Sequence, residues 1–303
     1  MERPVPGSVF GYRIRSDLTF HYLRHAAPGP SLVVEEAPSA EPEGTRILLP
    51  GTGPTKPTSG FVDVYSVGDG YAVEVDYAGW FHVDPREPRI VVPSVPETEV
   101  GWREPLLWGL PTALCLIERG DLVVHGAAVE IEGRALTFGA PGFYGKSTLS
   151  FALAAKGFRV LSEDLTCIGL SSPPVVWPGP AVLRLRKDMA HALGGGTGVR
   201  ITEDRDKVHL KLDDVGSGDA VPLAGVVLLR ESDDVRIEEI GMDRAIPDLW
   251  RLGLNIPNDQ GRADLLDKTA KLLESISVSN LHRPLTPDSL EATVDRLVSL
   301  AQL

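Results

Sequence analysis

The stretch Arg134-Ala135-Leu136-Thr137-Phe138-Gly139-Ala140-Pro141-Gly142-Phe143-Tyr144-Gly145-Lys146-Ser147-Thr148 decides the reading of this chain. Its first five residues, with Ala135, Leu136 and Phe138 apolar, are strand-like and predicted to form a strand. Residues 149–156 read as a helix, Gly157 is placed to stop it, and residues 158–161 return to strand character. The order strand, glycine-rich turn, helix, strand is the setting in which a backbone wraps its amides around phosphate. Glycines let N–H groups converge without side-chain obstruction, and the following helix offers its positive end. Lys146 then supplies a compact positive charge to the β/γ region of a triphosphate, and Ser147 a hydroxyl for Mg²⁺. A nucleoside triphosphate is therefore the expected ligand, with ATP the favoured donor and GTP or another donor left open, held by Ala140, Pro141, Gly142, Phe143, Tyr144, Gly145, Lys146, Ser147 and Thr148. The strict pattern opens with Gly, whereas Ala140 opens this one, and Phe143 and Tyr144 are bulky for such a loop.

Two features outside this stretch narrow the chemistry. Glu163 and Asp164 follow Lys146 by 17 and 18 residues, at the end of the next strand. Adjacent parallel strands are expected to bring this pair beside the phosphates. There one carboxylate can hold the metal while its neighbour takes a proton from an attacking hydroxyl. The second feature is His125 in Val124-His125-Gly126, on the strand that precedes residues 134–138. Taken alone, the pair is more simply a polar turn and His125 a satisfied core residue.

Taken together, His125-Gly126-Ala127-Ala128-Val129, the loop ending in Lys146-Ser147, and Gly157-Phe158-Arg159-Val160-Leu161-Ser162-Glu163-Asp164 resemble the HPr kinase/phosphorylase family and its shorter serine-kinase relatives. Looser similarity extends to Trp177-Pro178-Gly179-Pro180, to Leu183-Arg184-Leu185 and to residues 222–230. The resemblance implies an α/β fold with a P-loop kinase core of the HPr kinase/phosphoenolpyruvate-carboxykinase-like type. It implies that Lys146 and Ser147 bind phosphate and Mg²⁺. It also puts Glu163 at the catalytic base, Asp164 at the second, metal-holding carboxylate, and His125 at the active-site histidine. Glu163 stands where the family carries Asp, which adds a methylene. The acceptor implied is the hydroxyl of a serine, in a peptide or a small amino-acid-like molecule. A folded carrier protein as acceptor, and a non-catalytic nucleotide-binding partner of a modification complex, stay open.

The rest of the chain sets bounds. Its 303 residues suggest one large or two modest domains, divided here into a β-rich accessory domain over residues 1–104 and a nucleotide-binding domain over residues 105–303. A net charge of −12 opposes nucleic-acid and anionic-membrane binding, so an anionic ligand must be held locally. Cys115 and Cys167 sit in apolar runs and read as buried thiols. The first residues lack an apolar signal core, and a cytoplasmic location is expected. Homo-oligomerisation stays open. Strands are predicted at 9–15, 19–23, 32–35, 61–66, 71–77, 89–92 and 122–131. Helices are expected at 106–116, with Pro111 kinking or restarting the first, and at 265–276 and 288–300. His21, His25 and His82 read as surface or strand residues. The glycine-rich segments 192–199 and 213–219 read as loops, and Arg184 and Arg186 as strand residues able to reach phosphate.

Overall fold

The computed structural model describes residues 7–47, 62–75, 78–95, 100–142, 144–192, 199–203, 207–212, 216–256 and 258–301. Phe143 lies outside the described residues, as do 193–198 and 213–215 of the two glycine-rich segments. The chain is a mixed α/β protein with several sheets.

The N-terminal region forms an eight-stranded sheet. Its strands are β1 (Ser8–Val9), β2 (Tyr12–Arg15), β3 (Ser31–Ala37), β4 (Thr45–Ile47), β5 (Val62–Val67), β6 (Gly70–Val75), β7 (Gly79–Asp84) and β8 (Arg89–Pro93). They are ordered β1-β2-β3-β8-β7-β6-β5-β4. The strand expected over 9–15 is broken, because Phe10 and Gly11 adopt φ of 50° and 77° and turn β1 back onto β2. The strand expected over 19–23 does not form. Its amides are claimed by the buried Glu104 carboxylate, which accepts from His21 N at 2.6 Å and Tyr22 N at 2.9 Å. The turn chemistry flanking β7 masked that strand in the sequence.

Helices α1 (Val100–Leu107) and α2 (Leu110–Glu118) follow, with Pro111 in the first turn of α2 as the missing proline N–H allows. Leu107, Trp108, Leu114 and Leu116 join the apolar cluster of the N-terminal sheet, with Leu32, Phe81 and Ile90.

A second, nine-stranded sheet carries the central motif. In chain order come β9 (Leu122–Val124), β10 (Gly126–Ile131), β11 (Arg134–Gly139), α3 (Lys146–Ala155), β12 (Arg159–Ser162), β13 (Thr166–Gly169) and β14 (Val175–Trp177). Next are β15 (Val182–Arg186), α4 (Lys187–Ala192), β16 (Val199–Glu203), β17 (Lys207–Lys211) and β18 (Val221–Glu231). The chain closes with β19 (Arg236–Ile240), α5 (Met242–Leu252), α6 (Asp259–Leu273), β20 (Val278–Arg283) and α7 (Leu290–Ala301). β11, β18 and β20 run parallel at the centre. Alternation sorts the two faces. Val226 and Leu228 pack with α5 and α6, whereas Val227, Leu229, Ala127 and Val129 pack with α3 and α7. A separate three-stranded sheet, β15-β17-β16, stands beside this core. Among the described residues, no helix is long and apolar enough to cross a membrane.

Three local expectations are corrected. The single strand over 122–131 is two strands in different ladders, β9 pairing β13 and β10 pairing β11 and β12, with His125 at the break. The helix after the glycine turn begins at Lys146, three residues earlier than expected. β12 does not adjoin β11: β10 lies between them, antiparallel to both. Glu163 and Asp164 still arrive at the same sheet end as the turn after β11, because two antiparallel steps restore the direction.

Candidate functional site

The turn between β11 and α3 is built around Gly145, whose φ of 75° is left-handed and suits glycine. A Cβ there would also collide with the Arg283 guanidinium. Ala140, at the loop's first position, is buried without a left-handed backbone, so its methyl is accommodated. No side chain caps α3, and its first hydrogen bond runs from Leu149 N to Gly145 O at 3.0 Å. The amides of Lys146, Ser147 and Thr148 are thus at a helix start without intrahelical partners.

Lys146 is 7% exposed. Its Nζ donates to the carbonyls of Ala140 at 2.8 Å and Pro141 at 3.2 Å, folding over its own loop. Burial pushes its pKa down, and the Asp164 and Glu163 charges pull it back. Ser147 Oγ donates to Glu163 Oε1 at 2.5 Å. The longer Glu side chain, where the resembled family has Asp, is the one that makes this contact.

The acidic pair is electrostatically split. Burial and the neighbouring Asp164 charge push the Glu163 carboxyl up to about 7, against Arg184 and Lys207. Burial also works against an ionised Asp164, but Arg184, Lys207, His125 and Lys146 outweigh it and hold that carboxyl well below the usual range. Arg184 Nη2 donates to Asp164 Oδ2, and Lys207 Nζ lies 3.4 Å from the same oxygen. Arg184 Nε is 3.5 Å from Glu163 Oε2. These cations come from β15 and β17 of the small sheet, where Arg184 pairs with His209 and Lys207 with Arg186. Environments that drive two neighbouring carboxyls apart suit one to accept a proton and the other to stay charged.

Asp164 is held at φ 65°, a conformation costly for most side chains and tolerated by Asp and Asn. Its carbonyl accepts from Gly126 N at 3.2 Å and bonds the His125 ring. Burial and Lys146 lower the His125 pKa, against Asp164. Asp164→Asn keeps this backbone but removes the charge that Arg184 and Lys207 share. Asp164→Ala should add about 1 kcal/mol of destabilisation from the left-handed backbone. Thermal melts of the two variants check this, and equal melting temperatures would remove the backbone argument.

Arg283, at the end of β20, is the residue that sequence reasoning missed. It is 3% exposed, donates from Nη2 to Tyr144 O at 2.9 Å, and leaves its buried Nε without a partner among the described residues. Burial lowers its pKa, and no charged neighbour offsets that. Lys146 and Arg283 both line one cleft of about 490 Å³, with Ser147, Asp164, Arg184 and Lys207. Among the described residues, neither Lys146 nor Arg283 makes an ion pair. Two buried cations at one helix start call for an anion. Serine and carboxylate oxygens beside them are the hard donors that Mg²⁺ takes. Among the described residues the structure brings His125, Lys146, Ser147, Glu163 and Asp164 together; His21, His25 and His82 are not among the residues lining this cleft.

No family model and no curated protein matches the chain. Among solved structures, the Hpr(Ser) kinase/phosphatase from Coxiella burnetii is similar with a TM-score of 0.32 and 12% identity. That alignment covers 59% of this chain and 97% of the other. So slight a likeness carries no argument about activity, which rests on the site.

Proposed function

We propose that this protein is a Mg·ATP-dependent phosphotransferase that phosphorylates a hydroxyl, with a serine of a peptide or a small amino-acid-like molecule as the natural class of acceptor. The observation that carries the reading is the pair of buried cations, Lys146 and Arg283, that make no ion pair among the described residues and sit at the start of α3. In this reading the amides of residues 145–148 and the two cations hold the β- and γ-phosphates. Ser147 and Asp164 would hold Mg²⁺, which supplies charge neutralisation at the phosphates when bound. Glu163 takes the proton of the attacking hydroxyl, and its pKa raised by burial suits a base working near neutrality. His125, packed on the Asp164 carbonyl, orients that turn and offers a second hydrogen-bonding group toward the cleft.

Mg-dependent release of ADP from ATP, enhanced by serine-containing peptides or free serine derivatives, tests the proposal. Absence of ADP release with every hydroxyl acceptor would leave a binding protein. A sharper, sign-specific result is expected for Arg283→Met. Removing an unpaired buried charge should leave the melting temperature unchanged or raise it. The same change should weaken Mg·ATP binding by about 10- to 100-fold, the loss of a charge-assisted hydrogen bond. A large fall in melting temperature with intact affinity would make Arg283 a purely structural residue.

A further inference from the structure

A second cavity, of about 570 Å³, lies on the far side of the acidic turn. Its walls are mostly apolar and come from three places: Phe10 of the β1–β2 turn and Val64 of β5, Trp108 and Leu110 of the α1–α2 region, and Leu252 at the end of α5 with Leu254 beyond it. The cavity and the cationic cleft share His125, Asp164 and Arg184. Glu163 lines the apolar chamber and not the cleft, while Ser147, to which it is bonded, lines the cleft. The candidate base thus stands in the partition with its open side toward the chamber. Asn255 also lines the chamber, and its buried Oδ1 has no hydrogen-bond partner among the described residues.

We propose that this chamber is the acceptor site and that its occupant is a small molecule with an apolar body, a hydrogen-bond donor for Asn255, and a hydroxyl presented at Glu163. A volume in the range of small-molecule pockets, lined by side chains from three parts of the chain, fits such a ligand better than the surface of a folded carrier protein. The apolar walls give the affinity, and the few polar groups at one end fix which atom reaches the partition. This assignment rests on the phosphotransferase reading for its chemical step. The acceptor oxygen forms a bond to the γ-phosphorus, the bond from that phosphorus to the β–γ bridging oxygen breaks, the hydroxyl proton passes to Glu163, and ADP leaves with the bridging oxygen's electron pair.

Primary n-alkanols from propanol to decanol serve as probes. With Mg·ATP present, formation of the alkyl phosphate, read by mass spectrometry, should rise in kcat/KM by about threefold to fourfold per added methylene until the chamber is full. Leu110→Trp and Leu254→Trp, which fill it from two sides, should each shorten the best alcohol. Octanol binding without nucleotide is read separately by tryptophan fluorescence, with Trp108→Phe identifying the signal from the wall. Mg·ATP binding with a flat alkanol series and no octanol binding would overturn the chamber and leave the nucleotide reading standing. Octanol binding without any Mg·ATP binding would overturn the phosphotransferase reading and with it the acceptor role, leaving only an apolar ligand chamber, and a peptide phosphorylated at rates indifferent to both Trp variants would place the acceptor elsewhere.

Discussion

Glu163→Gln is expected to lower phosphoryl transfer by about 10³-fold while Mg·ATP affinity changes by less than about threefold. The carboxylate is 7% exposed, bonded to Ser147 Oγ, and faces the apolar chamber. An amide has the same shape and can still accept from Ser147, so the partition should persist. What it cannot do is take a proton from the acceptor. Burial and the Asp164 charge raise the affinity of Glu163 for that proton, which is the direction a base needs. Single-turnover transfer and equilibrium titration on one preparation separate the two effects. Wild-type transfer in the variant would return Glu163 to the role of a buried polar turn.

Lys146→Ala should weaken Mg·ATP binding by on the order of 10²-fold, from the loss of charge-assisted hydrogen bonds to phosphate. In the ligand-free chain the ammonium rests on the carbonyls of Ala140 and Pro141. Its polar end therefore rests on the loop's own carbonyls rather than in an apolar cluster. Lys146→Met keeps the buried stem and removes only the charge, so a matched loss in both variants assigns the effect to charge. Calorimetric titration checks it. Unchanged affinity in folded variants would contradict a phosphate-binding role for this lysine.

The central strand–turn–helix was legible because its signals are local: a strand-like run, glycines at the turn, and a helix-forming stretch. Alternation also marked β3, β5, β6 and β8. Elements whose backbone is decided by distant partners were not legible. Residues 19–23 have strand composition, yet Glu104, more than eighty positions away, takes their amides. The break at His125 is set by Leu252 O, which accepts from His125 N at 2.7 Å, and by Asp164 O, which accepts from Gly126 N. α5 carries an internal Pro247 that disguised it. In the candidate site, residues 140–148 and the acidic pair could be named from spacing. From the sequence Arg184 reads only as able to reach phosphate and Lys207 does not stand out, because both reach Asp164 from a separate sheet. Arg283 arrives on a strand far along the chain and meets the turn at Gly145 and Tyr144.

Backbone amide hydrogen exchange of residues 139–149, with and without saturating Mg·ATP, tests the central claim most directly. The uncapped amides at the start of α3 are the atoms proposed to hold the phosphates. The account predicts strong protection of Gly145, Lys146, Ser147 and Thr148 that appears only with nucleotide and is lost in Lys146→Ala. Unchanged exchange at these four amides, under conditions where nucleotide is bound, would contradict it.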